Sequence, residues 1–182
     1  MANVLKWAGM ATGTEIQAEL EVALAELEAD ARSLTPEQLE RKCTESEVPG
    51  GAPWSPKDHV AHLIRVERSF LAYARRTVDG EAEPIGFSRM GSDQDEVRAA
   101  IHLANQRHVE DVATRSLDEL FAELRAARAD TLAFIDAHND ETLARPVPGS
   151  PWGDGTIGGM LGRNAAHQIN HMRAYQEGLA KS

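Results

Sequence analysis

Apolar residues recur at steps of three and four along four long stretches of the chain, and that spacing predicts four helices. The first has Thr14 as its N-cap and carries Ile16, Leu20, Leu24, Leu27, Ala31 and Leu34 on one stripe. Glu15, Glu19, Glu21, Glu26 and Glu28 fall mostly outside that stripe. The second opens at the capping sequence Ser55-Pro56-Lys57-Asp58 and runs to about Val78, with Val60, Leu63, Ile64, Phe70, Leu71, Ala74 and Val78 inward. Asp79-Gly80 ends it. The third opens at the capping box Ser116-Leu117-Asp118-Glu119 and turns Leu117, Leu120, Phe121, Leu124, Leu132 and Ile135 inward. The last runs from Thr156 to about Glu177. Two lesser segments join them. Thr35-Pro36-Glu37-Gln38 opens a short helix, and Asp93 caps a segment to about Ala113, with a break expected near Asn105.

Four long helices with short extra helices in their connections define an all-α protein, a four-helix bundle. A chain of 182 residues suits one domain. We place it at residues 14–178, after an N-terminal tail over 1–13. The chain also echoes itself. Pro49-Gly50-Gly51-Ala52-Pro53-Trp54 precedes the second long helix, and Pro148-Gly149-Ser150-Pro151-Trp152 precedes the last.

The net charge of -10 disfavours nucleic acid and anionic membranes, both of which call for clustered Lys and Arg. Arg75 and Arg76 adjoin, but acidic residues follow closely, so they read as a solvated face. With one cysteine, Cys43, no intrachain disulfide forms. The N-terminal stretch lacks a secretory pattern, and no apolar run approaches a membrane span. The expectation is a cytoplasmic protein with a small-molecule partner.

His167 and His171 lie four residues apart in the last helix, about 40° from each other on one face. Met160, Asn164 and Tyr175 share that sector, so the pair sits at or beside the buried face. Neutral imidazoles at this spacing can reach one transition metal. His59 and His62, in the second long helix, are candidates for a third ligand. His62 is at the edge of the apolar stripe, with Tyr73 near 20° and Val66 near 40° from it, and His59 is near 60°. Periodicity alone does not choose between the two. Three histidines leave a coordination position open, as a catalytic site requires. His102, His108 and His138 fit no such constellation and are taken as surface residues.

Trp54-Ser55-Pro56-Lys57-Asp58-His59-Val60-Ala61-His62-Leu63, with the His167-x-x-x-His171 pair and Gly155-Thr156 leading into the last helix, resembles the DinB/YfiT-like superfamily. The resemblance covers most of residues 14–178. It implies a four-helix bundle, often a homodimer, holding zinc or nickel on three histidines. It selects His62, His167 and His171 as ligands. Relatives in that superfamily include bacillithiol transferases and mycothiol-dependent maleylpyruvate isomerase. The expectation is a chain without a C-terminal extension after the last helix, a departure from the two-domain isomerase.

A metal on three neutral histidines can lower the pKa of water, which serves hydrolysis, or hold a thiol as thiolate. The resemblance favours the second: transfer of a low-molecular-weight thiol to an electrophilic small molecule. The alternatives are a bundle that binds a small molecule or stress metabolite without turnover, and a metal-dependent hydrolase. Cys43 is a poor thiol source, being alone and outside the histidine-bearing helices. Asp58 reads as a helix cap. His59, Tyr73, Arg163 and Asn164 are candidate substrate contacts. The loops 81–92 and 145–155 frame the expected pocket mouth, with Trp54 and Trp152 as loop anchors.

Overall fold

The computed structural model describes residues 12–46 and 48–181. The expected tail over 1–13 falls largely outside them. Helices α1 (Gly13–Ser33), α3 (Pro56–Val78), α5 (Leu117–Asp136) and α7 (Ile157–Lys181) form the bundle. Each packs on two others, in the cyclic order α1, α7, α3, α5. Helix α2 (Pro36–Glu40) and helix α4 (Gln94–Asp111) lie on α3, and α6 (Asp140–Leu143) lies on α7. Among the described residues there is no strand, only two isolated bridges, so the chain is all-α.

The stripes read from the sequence are the buried ones. Ile16, Leu20, Leu24, Leu27 and Ala31 of α1 are buried, as are Val60, Leu63, Ile64, Phe70, Leu71 and Ala74 of α3. One core cluster gathers around Phe70, Met160 and Leu161, and a second around Trp54, Phe121 and Tyr175. Capping boxes start α2 at Thr35, α3 at Ser55 and α5 at Ser116, each with the side chain and the N3 residue bonding reciprocally.

Three boundaries differ from expectation. The cap of α1 is Thr12, two residues before Thr14. Both threonines have Glu or Gln three residues on, so the local pattern is ambiguous. The Thr12–Glu15 box forms, and Asp140 accepts the Gly13 N–H at 2.9 Å, a contact between α6 and α1 that no local pattern reveals. Helix α4 is unbroken at Asn105, which is buried and accepts the Arg65 Nε–H at 3.1 Å. Helix α7 continues past Glu177 to Lys181. The loop 81–92 contains a single 3₁₀ turn, Phe87–Arg89.

The two proline-rich loops share a closure. An antiparallel bridge joins Thr44 to Trp54 just before α3, and another joins Pro146 to Thr156 just before α7. The Thr156 hydroxyl then accepts the Gly159 N–H at 3.0 Å and starts α7. At the other end of α7, a Cβ added to Gly178 would lie 2.1 Å from the Cys43 carbonyl oxygen, so that approach of loop to helix requires glycine. These closures fix the ends of the two histidine-bearing helices, which pack directly on each other.

Candidate metal centre

Four imidazoles meet where α3 faces α7. His62, His167 and His171 offer ring nitrogens that all lie within 4.8 Å of one another. Tetrahedral zinc at its usual bond lengths sets its nitrogen ligands about 3.3 Å apart, so small side-chain adjustments bring this group to a metal. His171 Nε2 is 2.9 Å from His167 Nε2. His62 is 1% exposed, and neither of its ring nitrogens has a hydrogen-bond partner; His167 Nδ1 also has none. Buried polar atoms left this way are costly in a native fold, and a bound cation is one thing that satisfies them. The donor set therefore fits a divalent metal.

His59 is buried beside this group. Its Nδ1 is 2.7 Å from His171 Nδ1, and its Nε2 is 2.8 Å from Thr44 Oγ1. The Thr44 hydroxyl donates to the Trp54 carbonyl at 3.4 Å. The threonine therefore accepts from His59 Nε2–H, His59 Nδ1 accepts from His171 Nδ1–H, and His171 Nε2 keeps its lone pair. That lone pair faces His167 and the other ligand candidates. The indole of Trp54 packs against His59, His62 and His171, and its Nε1–H is held by Gln106 Oε1 at 2.8 Å.

Burial holds all four imidazoles in their neutral form. It lowers His59 and His167 to about 4, with Arg163 adding to the effect at His167. It takes His62 and His171 well below the ordinary value, helped by neighbouring imidazoles and, for His62, by Arg65. Neutral imidazole is the metal-binding form.

A cavity of about 370 Å³ opens on this group, with His62 and His167 in its wall. Tyr73 and Arg163 line it, while Asn164 does not. Asn164 is 2% exposed and donates to Glu67 Oε2 at 3.0 Å. His59 lies outside the lining, behind His171. Trp152 packs against the core beside Phe70, as a loop anchor does, and has a second place as well. It is half-buried, forms part of the cavity wall and stacks on Tyr73 at 5.9 Å. Trp54 is the anchor it was expected to be. Met90 and Trp152 bring the loops 81–92 and 145–155 to the cavity.

His102, His108 and His138, expected at the surface, are each half-buried. His102 lines the cavity, and His138 Nδ1 lies 2.7 Å from the Phe134 carbonyl oxygen. Asp58 accepts from the Ser55 N–H and hydroxyl and from Lys42, so it caps α3. Cys43 lies outside the lining of this cavity, and burial raises its thiol above the ordinary value.

Sequence reasoning passed over Arg65, which lines the cavity, and the buried pair Glu67–Arg128. Both members of that pair interrupt apolar stripes, between Ile64 and Phe70 and between Leu124 and Ile135, and that was the available signal.

These features define a class: helical-bundle proteins with a histidine cluster between two facing helices. The profile described as DinB superfamily matches residues 46–174, and the chain belongs to that superfamily. The crystal structure of an uncharacterised protein from Escherichia coli UTI89 has the same fold, with a TM-score of 0.68 at 20% identity, covering 93% of this chain and 94% of that one. A comparison with curated proteins finds no match. No helix among the described residues is long and apolar enough to cross a membrane.

Proposed function

We propose that the protein is a metal-dependent enzyme that transfers a low-molecular-weight thiol to an electrophilic small molecule, with His62, His167 and His171 as the metal ligands and zinc or nickel as the metal. One observation carries the reading. A buried histidine with two unpartnered nitrogens stands within ligand distance of two more, at the wall of a cavity sized for a small molecule.

A divalent cation at this position supplies the positive charge that favours a thiolate over a thiol at neutral pH. The chain's own residues do the rest. His59 fixes the tautomer and orientation of His171 through the chain of hydrogen bonds ending at the Trp54 carbonyl. Trp54 closes the inner side of the histidine group and keeps water from it. The thiol comes from a co-substrate, since Cys43 lies elsewhere and its thiol is pushed toward the protonated form. Among the described residues no carboxylate lines the cavity, which supplies no acidic general base there and favours thiol transfer over hydrolysis. The same absence supports a second reading, a bundle that binds its ligand without turnover. The reading is of a cytoplasmic homodimer.

The test is metal content after purification without a histidine tag. Wild type is expected to hold about one equivalent, and His62→Ala, His167→Ala and His171→Ala are each expected to hold almost none. Thiol consumption with a generic electrophile should then depend on the metal. Consumption at the uncatalysed rate in metal-loaded protein leaves the binding reading. Failure of wild type to take up metal on reconstitution makes the histidines structural, sinks the transferase reading and leaves the binding one.

A further inference from the structure

The cavity beside the histidines has a charge opposite to that of the molecule. The chain carries a net charge of -10, yet among the described residues no Asp or Glu lines this cavity, while Arg65 and Arg163 both do. Neither arginine has a carboxylate partner among the described residues. The Nε–H of Arg65 goes to Asn105, which fixes the guanidinium, and its two terminal nitrogens have no partner among the described residues. Arg163 is half-buried and forms no ion pair with any described residue. The nearest acid on α3, Glu67, is already taken by Arg128. Phe70, Tyr73 and Trp152 also line the cavity and pack on one another as an aromatic wall, with the Tyr73 and Trp152 rings within 6° of parallel.

Two half-buried guanidiniums without a counter-ion among the described residues are unusual in so acidic a chain. Planar forked donors match a carboxylate or a similar planar anion. We propose that the cavity selects an anionic small molecule, a carboxylate carried on a flat apolar frame, with Arg65 and Arg163 clamping the anion and the Tyr73–Trp152 wall taking the frame. This names the substrate class of the site read above, and rests on that reading for its role in the reaction. The selectivity itself belongs to the arginines and does not need the metal.

The probes are 2-naphthoate and its neutral counterpart 2-naphthamide, titrated calorimetrically into metal-stripped and zinc-loaded protein. The acid is expected to bind at least about tenfold more tightly than the amide in both forms, the equivalent of one charge-assisted contact. Arg65→Gln and Arg163→Gln should each remove most of that preference and leave the amide within about twofold of wild type. Arg163→Lys should keep part of it. Trp152→Ala should weaken both probes alike. Equal affinity for acid and amide overturns the proposal, as does acid binding weaker than about 1 mM. So does a preference that appears only with zinc and survives both glutamine variants, because the metal is then the selector. A chain that binds no metal but retains the arginine-dependent preference would sink the transferase reading and leave this inference standing.

Discussion

Two polar clusters are buried among the same long helices, and they are built in opposite ways. In one, Glu67 of α3 takes both arms of the Arg128 guanidinium at 2.9 Å each, and Asn164 of α7 adds a third bond. Arg128 also donates to the Leu20 carbonyl, so the cluster ties α1, α3, α5 and α7 together. In the other, His62 has no partner at either nitrogen and His167 lacks one at Nδ1. The first cluster commits its charges to the fold. The second holds its nitrogens unused, at a cost of about 1–3 kcal/mol for each buried unpartnered group. A fold that pairs both charges of one cluster and leaves the imidazoles of the other open separates its scaffold from its site. On α7, Asn164 Oδ1 and the Gln168 amide are also without partners, so the open character extends along that helix.

The comparison breaks most readily at Arg128. Arg128→Met strands the Glu67 carboxylate at 1% exposure, and the expected loss is about 3–5 kcal/mol in urea unfolding of metal-free protein. Adding Glu67→Leu should recover most of it. A loss below about 1 kcal/mol for the single variant would mean that the pair is not the scaffold it is taken for. The histidines should instead reveal themselves through pH. Their pKa values are lower folded than unfolded, so between about 6.5 and 4 the unfolded chain binds protons that the folded chain refuses. Stability is therefore full above that window and is lost as pH falls through it. At pH 5 the loss is on the order of 2 kcal/mol for each of His59 and His167 in metal-free protein. Urea midpoints measured from pH 7 to pH 5 test this, and a flat profile would count against buried neutral imidazoles.

How far each cluster was legible in the sequence follows from how local its causes are. Helix starts at Thr35, Ser55 and Ser116 were legible because a capping box is complete within four residues. The start of α1 was misplaced by two residues because Asp140, far along the chain, bonds its first turn. His167 and His171 were legible as a pair because one turn of helix relates them. Their meeting with α3 was not, and periodicity left His59 and His62 equivalent; the family resemblance separated them. The structure gives the two residues different surroundings: His59 is engaged at both nitrogens and His62 at neither. Trp152 and Arg65 escaped because their place depends on how loop 145–155 and α4 lie against α3. Glu67 and Arg128 were legible in principle, each a charge within an apolar stripe, but a single stripe does not reveal that the other carries its partner.

Two histidine variants sharpen the comparison further. His62→Leu removes two unpartnered nitrogens from the core, so metal-free protein is expected to gain about 1–3 kcal/mol. Metal uptake should disappear. Stability and function would then move in opposite directions at one residue, whereas Arg128→Met moves stability directly. If His62→Leu destabilises the metal-free chain, its nitrogens have a structural partner and the contrast between the clusters fails. His59→Ala has the smaller effect. It leaves all three ligand candidates in place and removes only what orients His171, so metal affinity should fall by about 10–100-fold without being abolished. A competition titration with a chromophoric chelator measures it. Cobalt substitution supplies a second readout, because a loosened His171 should change the visible d–d bands of the bound ion even at saturation. An unchanged spectrum and affinity would assign His59 to packing alone. Complete loss of binding would make it a ligand in its own right and reopen the choice between His59 and His62 that the sequence left unresolved.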